Sequence, residues 1–330
     1  MTPFAYSAPA DIAGALRLLS TGQRAKLIAG GTNLVDLMRE EIEQPDVVVD
    51  VRGLPMAGIA ADAAGGIVIG AAATNTAVAL DPLVRGRYPF VAQAILSGAS
   101  GQIRNMATVA GNLLQRTRCA YFYDRAARCN KREPGSGCDA LRGLNRQHAV
   151  LGTSDACIAT HPSDLCVALA ALDCAVEVEG IHGRRSIPFA DFHRLPGDTP
   201  HVETELHDDE IVTAIRVPAL ACARRSVYRK IRDRASFAFA LVSVAAALEV
   251  RDGRVEDVRL ALGGVAHKPW RARRAEDLVQ GAPATHAVFA AAAEAELAAA
   301  KPYRHNAFKI EIAQRLIAAT LSELAAEALA

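Results

Sequence analysis

The chain has 330 residues, 51% hydrophobic and 22% charged, with 37 basic against 36 acidic side chains and a net charge of +1. That length calls for two or three packed units, and the composition is that of an ordinary globular protein and excludes a disordered one. Balanced charge gives no delocalised footprint for nucleic acid, nine Phe and one Trp offer no stacking platform for single strands, and no apolar stretch reaches a bilayer span.

In chain order, the first twenty residues lack a basic segment followed by an apolar one, so no export signal of the chain's own is expected. Residues 11–20 place apolar side chains at helical spacing, and 25–29 form a short strand. The pair Gly30-Gly31 breaks it, Thr32 and Asn33 are suited to cap the helix predicted over 34–42, and 46–51 is a buried strand. Residues 66–71 follow as a strand, 76–80 and 90–96 as helical pieces, and 108–114 as a glycine-interrupted turn. From 115 to about 160 periodicity lapses into Arg, Gly, Asn and Cys; an ordered loop this long needs an internal staple.

Ser163 and Asp164 then cap an apolar helix to residue 172, followed by strands at 175–179 and 210–217 and a linker at 219–225. Residues 241–250 and 255–262 flank Asp252-Gly253, a hairpin signal, and Ala-rich helices at 286–300 and 308–328 close the chain. The pattern is α+β without internal repeats, and the expected division is 1–222 and 223–330.

Chemistry is first suggested by residues 26–34, Lys-Leu-Ile-Ala-Gly-Gly-Thr-Asn-Leu, where paired glycines before a helix let backbone N–H groups approach an anion. Alone this is a turn, without the spaced glycines of a Rossmann fingerprint. A second segment, QIRNMATVAGNL over 102–113, mixes small residues with hydrogen-bonding ones, and a third, His161-Pro-Ser-Asp164, equally serves as a helix cap.

Of seven cysteines, Cys119, Cys129, Cys138 and Cys157 share the aperiodic segment, spaced C-x9-C-x8-C-x18-C. The chain is no small disulfide scaffold, so metal binding is the better reading. By count, zinc and a 4Fe-4S cluster both remain open. Arg118, Arg125, Arg128, Lys131, Arg132, Arg142 and Arg146 are expected to offset thiolate charge, whereas Cys166 and Cys174 lie in apolar patterns as buried thiols.

Together AGGTNL, QIRNMATVAGNL and HPSDL, with SVYRKIRDR, ALVSVAAALEV and LALGGVA beyond residue 225, resemble the FAD-binding subunits of the xanthine dehydrogenase and molybdenum hydroxylase family. The resemblance implies a two-part FAD-binding domain of the PCMH type over 1–222, then a smaller α+β C-terminal domain, an antiparallel sheet with helices, over 223–330. It implies non-covalent FAD along Lys26, Leu27, Ile28, Ala29, Gly30, Gly31, Thr32, Asn33 and Leu34, with Thr108, Gly111 and Asn112 adding polar contacts. Asp164 would receive hydrogen bonds from the flavin's hydroxyl-bearing chain, and Ile215 and Lys230 match positions near its ring.

The segments TRCAYFYDRAARCNKREPGSGC and GTSDAC resemble those of periplasmic aldehyde oxidoreductase FAD-binding subunits, which implies a 4Fe-4S cluster on Cys119, Cys129, Cys138 and Cys157 in an insert at about 115–160. By this resemblance the chain is an electron-transfer subunit of a heterotrimer, without catalytic residues for substrate. A large subunit carrying the molybdenum cofactor would oxidise an aldehyde or N-heterocycle, a small 2Fe-2S subunit would pass electrons on, and FAD would collect them. Export to the periplasm would rely on a partner's signal, with the cytoplasm as the alternative. Two rival readings are a stand-alone flavin oxidase and a non-enzymatic scaffold with a structural zinc site.

Overall fold

The fold is known from a computed structural model that describes residues 1–329. Three short strands open it, β1 (Ala5–Ser7), β2 (Ala25–Ile28) and β3 (Val47–Asp50), parallel and ordered β1-β3-β2. Helices α1 (Ile12–Leu19) and α2 (Leu34–Arg39) make the crossovers that parallel pairing requires. All four residues of β3 are buried, as expected of a central parallel strand. Asp11 caps α1 through Gly14 N at 2.6 Å.

A second sheet is antiparallel and built from β4 (Ile59–Ala61), β5 (Ile67–Gly70), β6 (Ala175–Gly180), β7 (Gly183–Pro188) and β8 (Glu210–Val217), ordered β4-β5-β8-β6-β7. Between β5 and β6 the chain runs through α3 (Asn75–Leu80), α4 (Pro82–Arg87), α5 (Pro89–Ser97), α6 (Gly101–Met106), α7 (Val109–Leu113), α8 (Ala120–Tyr123) and α9 (Asp164–Ala170). A one-turn helix, α10 (Phe189–Phe192), follows β7.

After a 3-10 turn over Ala221–Arg224, β9 (Ser226–Ile231), β10 (Val242–Arg251), β11 (Arg254–Gly263) and β12 (Trp270–Arg271) form an antiparallel sheet, ordered β12-β11-β10-β9. Asp252 (φ 51°) and Gly253 (φ 73°) turn the hairpin, the positive pair that a two-residue connection demands. Alternation along β10 sorts its side chains: Ala245 joins the core beneath α5 and α9, while Val244, Ala246 and Leu248 face α11 (Arg273–Val279), α12 (His286–Leu297) and α13 (Phe308–Leu329). This third sheet is therefore buried on both faces and welds the two halves.

Three sequence expectations need correction. Residues 109–113 are helical and not a turn, because Thr108 Oγ1 accepts from Gly111 N at 3.2 Å and starts a helix despite the glycine. The helix after the glycine pair stops at Arg39, three residues earlier than expected. The cysteine segment is not devoid of regular structure, since α8 and a 3-10 turn at Asp139–Leu141 lie within it. Among the described residues no helix is long and apolar enough to cross a membrane.

Candidate functional site

The loop after β2 presses against the end of α6. A Cβ on Gly30 would stand 1.9 Å from the Met106 carbonyl oxygen, so only glycine permits this approach. Gly31 is left-handed (φ 71°), and the N–H groups of Gly30, Gly31, Thr32 and Asn33 donate to no other group of the described residues. Asn33 stands at the N-cap of α2 but makes no capping bond, contrary to expectation. Instead its Oδ1 accepts from Arg116 N at 2.8 Å, and its buried Nδ2 has no partner. Free donors clustered around a close backbone turn are what an anionic pyrophosphate requires.

Flanking residues frame this cradle. Leu27 and Ala29 pack into the small core beneath β3, Ile28 lies beneath Gly31, Leu34 is half-buried, and Lys26 is exposed with its ammonium 3.5 Å from Glu43. Next to it, Asn112 Nδ2 donates to Asn75 Oδ1 at 2.7 Å while its Oδ1 accepts from Ser163 Oγ at 3.3 Å. Thr108, Gly111 and Asn112 are thereby tied to the start of α9. Ser163 caps α9 through Cys166 N at 3.2 Å, placing Asp164 one residue inside the helix.

Asp164 is clamped by the third sheet: Tyr228 Oη donates to Oδ1 at 2.5 Å and Lys230 Nζ to Oδ2 at 2.7 Å. Burial pushes the Asp164 carboxyl up, against the pull of Lys230 and Tyr228, and burial beside this carboxylate pushes the Tyr228 phenol well up. Asp164 also lines a cavity of about 240 Å³ with Thr117, Cys119, His148, Phe239 and Gly264. Pockets that enclose a whole drug-sized ligand are larger, ~300–1,000 Å³, so this one has room for one end of a long cofactor and not the whole. FAD has that extended shape, and the residues present fit it. Ile215 lies elsewhere, fully buried within β8 between Ile69 and Val176 and outside the cavity wall.

The four thiols Cys119, Cys129, Cys138 and Cys157 line a single second cavity. Cys129 and Cys138 face each other across an antiparallel bridge closed by Asn130 N donating to Gly137 O at 2.7 Å. Gly135 and Gly137, both left-handed, turn that small hairpin. Asn130 Nδ2 reaches Ala156 O at 3.0 Å and so sets Cys157 beside it. Another glycine is needed at 143, where a Cβ would stand 2.0 Å from Tyr121 Oη.

Sulfur spacing bears on both metal readings. Tetrahedral zinc ~2.3 Å from each thiolate brings the sulfurs to about 3.8 Å of one another. Among the described residues the one group of three ligand atoms mutually within 4.8 Å is His161, Cys166 and His193, so no three of the four clustered thiols are that close. As arranged here they are spaced more widely than the sulfurs of a closed tetrahedral site. Burial, opposed by local N–H groups, pushes the Cys119 thiol up to about 12. Burial likewise raises Cys157, to about 11, and Cys138. Thiolates here therefore need a cationic group.

Most of the basic neighbours are engaged elsewhere, contrary to expectation, with Lys131 as the exception. Arg125 pairs with Glu41, Arg128 with Asp139 and Arg146 with Asp233; Arg132 caps the carbonyls of Tyr121, Phe122 and Ala127, and Arg118 stacks on Phe239. Lys131, almost fully buried, is held by Glu203 Oε1 at 2.5 Å and Pro200 O at 2.9 Å, and it alone among them lowers Cys157. Glu203 also pairs with Arg116, and Arg116 with Glu43. A chain of alternating charge thus runs from Lys131, between the cysteines, to Lys26, beside the glycine loop.

Residues beyond the sequence motifs also matter here. Tyr228 lies within the SVYRKIRDR segment without a role implied for it, and His148 sits in a loop position that carries no local signal. The trio His161, Cys166 and His193 is a poor cation site, because Ser163 N donates to His161 Nδ1 at 3.3 Å and so places the ring proton on Nε2, while His193 Nε2 engages Leu113 O at 2.9 Å.

Comparisons with known proteins agree with this geometry. Residues 2–220 match the family described as the FAD binding domain in molybdopterin dehydrogenase, and 226–324 the CO dehydrogenase flavoprotein C-terminal domain. The chain is 52% identical, over 306 residues and 92% of each chain, to the aldehyde oxidoreductase FAD-binding subunit of Escherichia coli K12. It is 26% identical, over 91% of this chain and 88% of the relative, to the carbon monoxide dehydrogenase medium chain of Hydrogenophaga pseudoflava. A solved carbon monoxide dehydrogenase from that organism superposes over 99% of both chains with a TM-score of 0.76 at 26% identity. Quinoline 2-oxidoreductase from Pseudomonas putida 86 superposes over 100% of this chain and 99% of its own, with a TM-score of 0.77, and at 23% identity speaks for the fold alone. The α+β fold class expected from the sequence is the one observed.

Proposed function

Because this chain belongs to the molybdopterin dehydrogenase FAD-binding family as a FAD-binding medium subunit, we propose that it carries electrons through both FAD and a 4Fe-4S cluster in an aldehyde oxidoreductase. It is an oxidoreductase subunit whose substrate chemistry belongs to partner subunits. One observation carries the reading: the thiol-lined cavity and the cavity beside Asp164 share Thr117 and Cys119 as a common wall. A cluster on Cys119, Cys129, Cys138 and Cys157 would lie one side chain from the flavin end of the site.

When bound, FAD supplies exchange between one-electron and two-electron carriers. The chain's own residues do the holding. N–H groups from Gly30 to Asn33 receive the pyrophosphate, with Lys26, Leu27, Ile28, Ala29 and Leu34 as its frame. Thr108, Gly111 and Asn112 brace that frame, and Asp164, fixed by Lys230 and Tyr228, orients the hydroxyl-bearing chain. Ile215 enters this scheme only as a support of the sheet behind the site.

The partners in this reading are a large subunit with the molybdenum cofactor and a small 2Fe-2S subunit, in a heterotrimer exported to the periplasm on a partner's signal. The division at 222 and 223 and the insert at 115–160 are assigned on the same grounds, with the 3-10 turn at Ala221–Arg224 at the boundary.

The test is Cys129→Ser in the purified complex. Iron bound to this chain should be lost while FAD stays at the wild-type ratio, because Cys129 touches only the thiol cavity. Unchanged iron, or zinc in its place, would sink the cluster assignment. Colourless, flavin-free wild-type protein would instead support the zinc scaffold.

A further inference from the structure

Among the described residues, His148 is the one that lines the cavity beside Asp164 and has a side-chain hydrogen bond with a cluster thiol, its Nε2 lying 3.1 Å from Cys119 Sγ. We propose that His148 is a positioning residue that sets the reduction potential of the iron–sulfur site by donating a hydrogen bond from Nε2 to the Cys119 sulfur. This inference rests on the 4Fe-4S reading above and goes beyond it by assigning a function to a side chain outside the ligand set.

The ring is held from several directions. Its backbone carbonyl accepts from Lys309 Nζ at 2.9 Å and from Asn306 Nδ2 at 3.2 Å, both from the C-terminal domain. Asn306 Nδ2 also reaches Ala149 O at 3.1 Å, and Asn145 Oδ1 accepts from His305 N at 2.9 Å. Ala149 N pairs with Ile158 O at 2.9 Å, next to Cys157. The limb carrying His148 is therefore pinned between the C-terminal helix and the strand of chain that bears the fourth thiol. Tyr121, two residues after Cys119, packs its ring 6.2 Å from the imidazole. Nδ1 is buried and makes no hydrogen bond, although the Asn145 carbonyl bears on the ring.

A neutral imidazole has one N–H, and with a metal-bound thiolate opposite, the sulfur is the acceptor and Nε2 the donor. A hydrogen bond to a ligand sulfur withdraws electron density and stabilises the more negative, reduced state, which raises the potential of the couple. In that couple a bound cluster would take one electron from an external reductant such as dithionite, with no proton moved. Because Cys119 is the thiol on the wall shared with the flavin side, its sulfur is where such a bond bears most directly on exchange between the two groups.

The experiment compares wild type, His148→Phe and His148→Gln as intact complexes, by iron and FAD analysis and by a dithionite redox titration of the cluster followed by electron paramagnetic resonance. Phe keeps the ring against Tyr121 and removes the donor; Gln restores an N–H near the position of Nε2. The cluster midpoint should fall in His148→Phe with iron and FAD at wild-type levels, and recover toward wild type in His148→Gln. An unmoved midpoint in His148→Phe, or loss of its iron, would overturn the proposal, the second because the residue would then be bracing the loop. Iron-free wild-type protein would remove the cluster reading itself, and this inference with it.

Discussion

The glycine loop and the cysteine segment solve opposite problems. At Gly30 to Asn33 four consecutive N–H groups and a buried amide are left without partners, whereas the segment from Gln115 to Thr160 satisfies its charges through distant residues such as Glu41, Glu43, Glu203 and Asp233. One region is poised for a ligand by leaving donors free; the other is assembled by everything around it, with four thiols gathered on one cavity. The contrast teaches that a short motif can report a site built from local backbone, while a site built from long-range pairing is visible only through its ligand atoms.

If that contrast is right, damage to the loop should be local and severe. Gly30→Ala forces a side chain onto the Met106 carbonyl, a backbone atom that cannot swing aside, at a cost of about 1–3 kcal/mol or more. FAD content should collapse while iron on the chain persists, as read by absorption and metal analysis. Joint loss of both would break the separation between the two regions.

Acid should strain a third region, around the buried His193 and His267. Burial depresses His193 to about 4 and His267 to about 3, below the ordinary value of ~6.5. Because the folded values are lowered, the unfolded chain binds more protons below pH ~6.5, so the stability present above that pH is lost as pH falls through the folded values. Each unit is worth ~1.4 kcal/mol. The thermal midpoint should therefore drop between pH 6.5 and 4, and drop less in His193→Gln, which keeps a donor near Leu113 O and cannot titrate. Equal slopes in the two proteins would remove His193 from the account.

The smallest effect is expected at the rim. Arg128→Ala removes an exposed pair with Asp139, and neither iron content nor thermal midpoint should change measurably. A loss of iron there would restore the idea that the arginines neutralise the thiolates.

Much of this was legible in the sequence. Period-2 and helical spacing located β2, β3, β5, β6, β8, the β10–β11 hairpin and the long terminal helices, and the Asp252-Gly253 turn marked the hairpin, whose register shifts at Glu249/Val250. Strands of three residues, β1 and β4, are too short to carry a period, and α6 depends on the Ser100 cap to Ile103 N at 3.3 Å. In the site, Asp164 and Lys230 stand out by motif, but the bond that joins them crosses 66 residues. Tyr228, His148 and Lys131 owe their roles to such crossings, which no local pattern records.

The most direct test is the flavin content of the natively purified complex, kept from any flavin-stripping step, for wild type beside Gly30→Ala. Bound FAD in the first and its loss from the second is the predicted result; wild-type protein that neither contains FAD nor takes it up when supplied would contradict the cradle on which the rest is built.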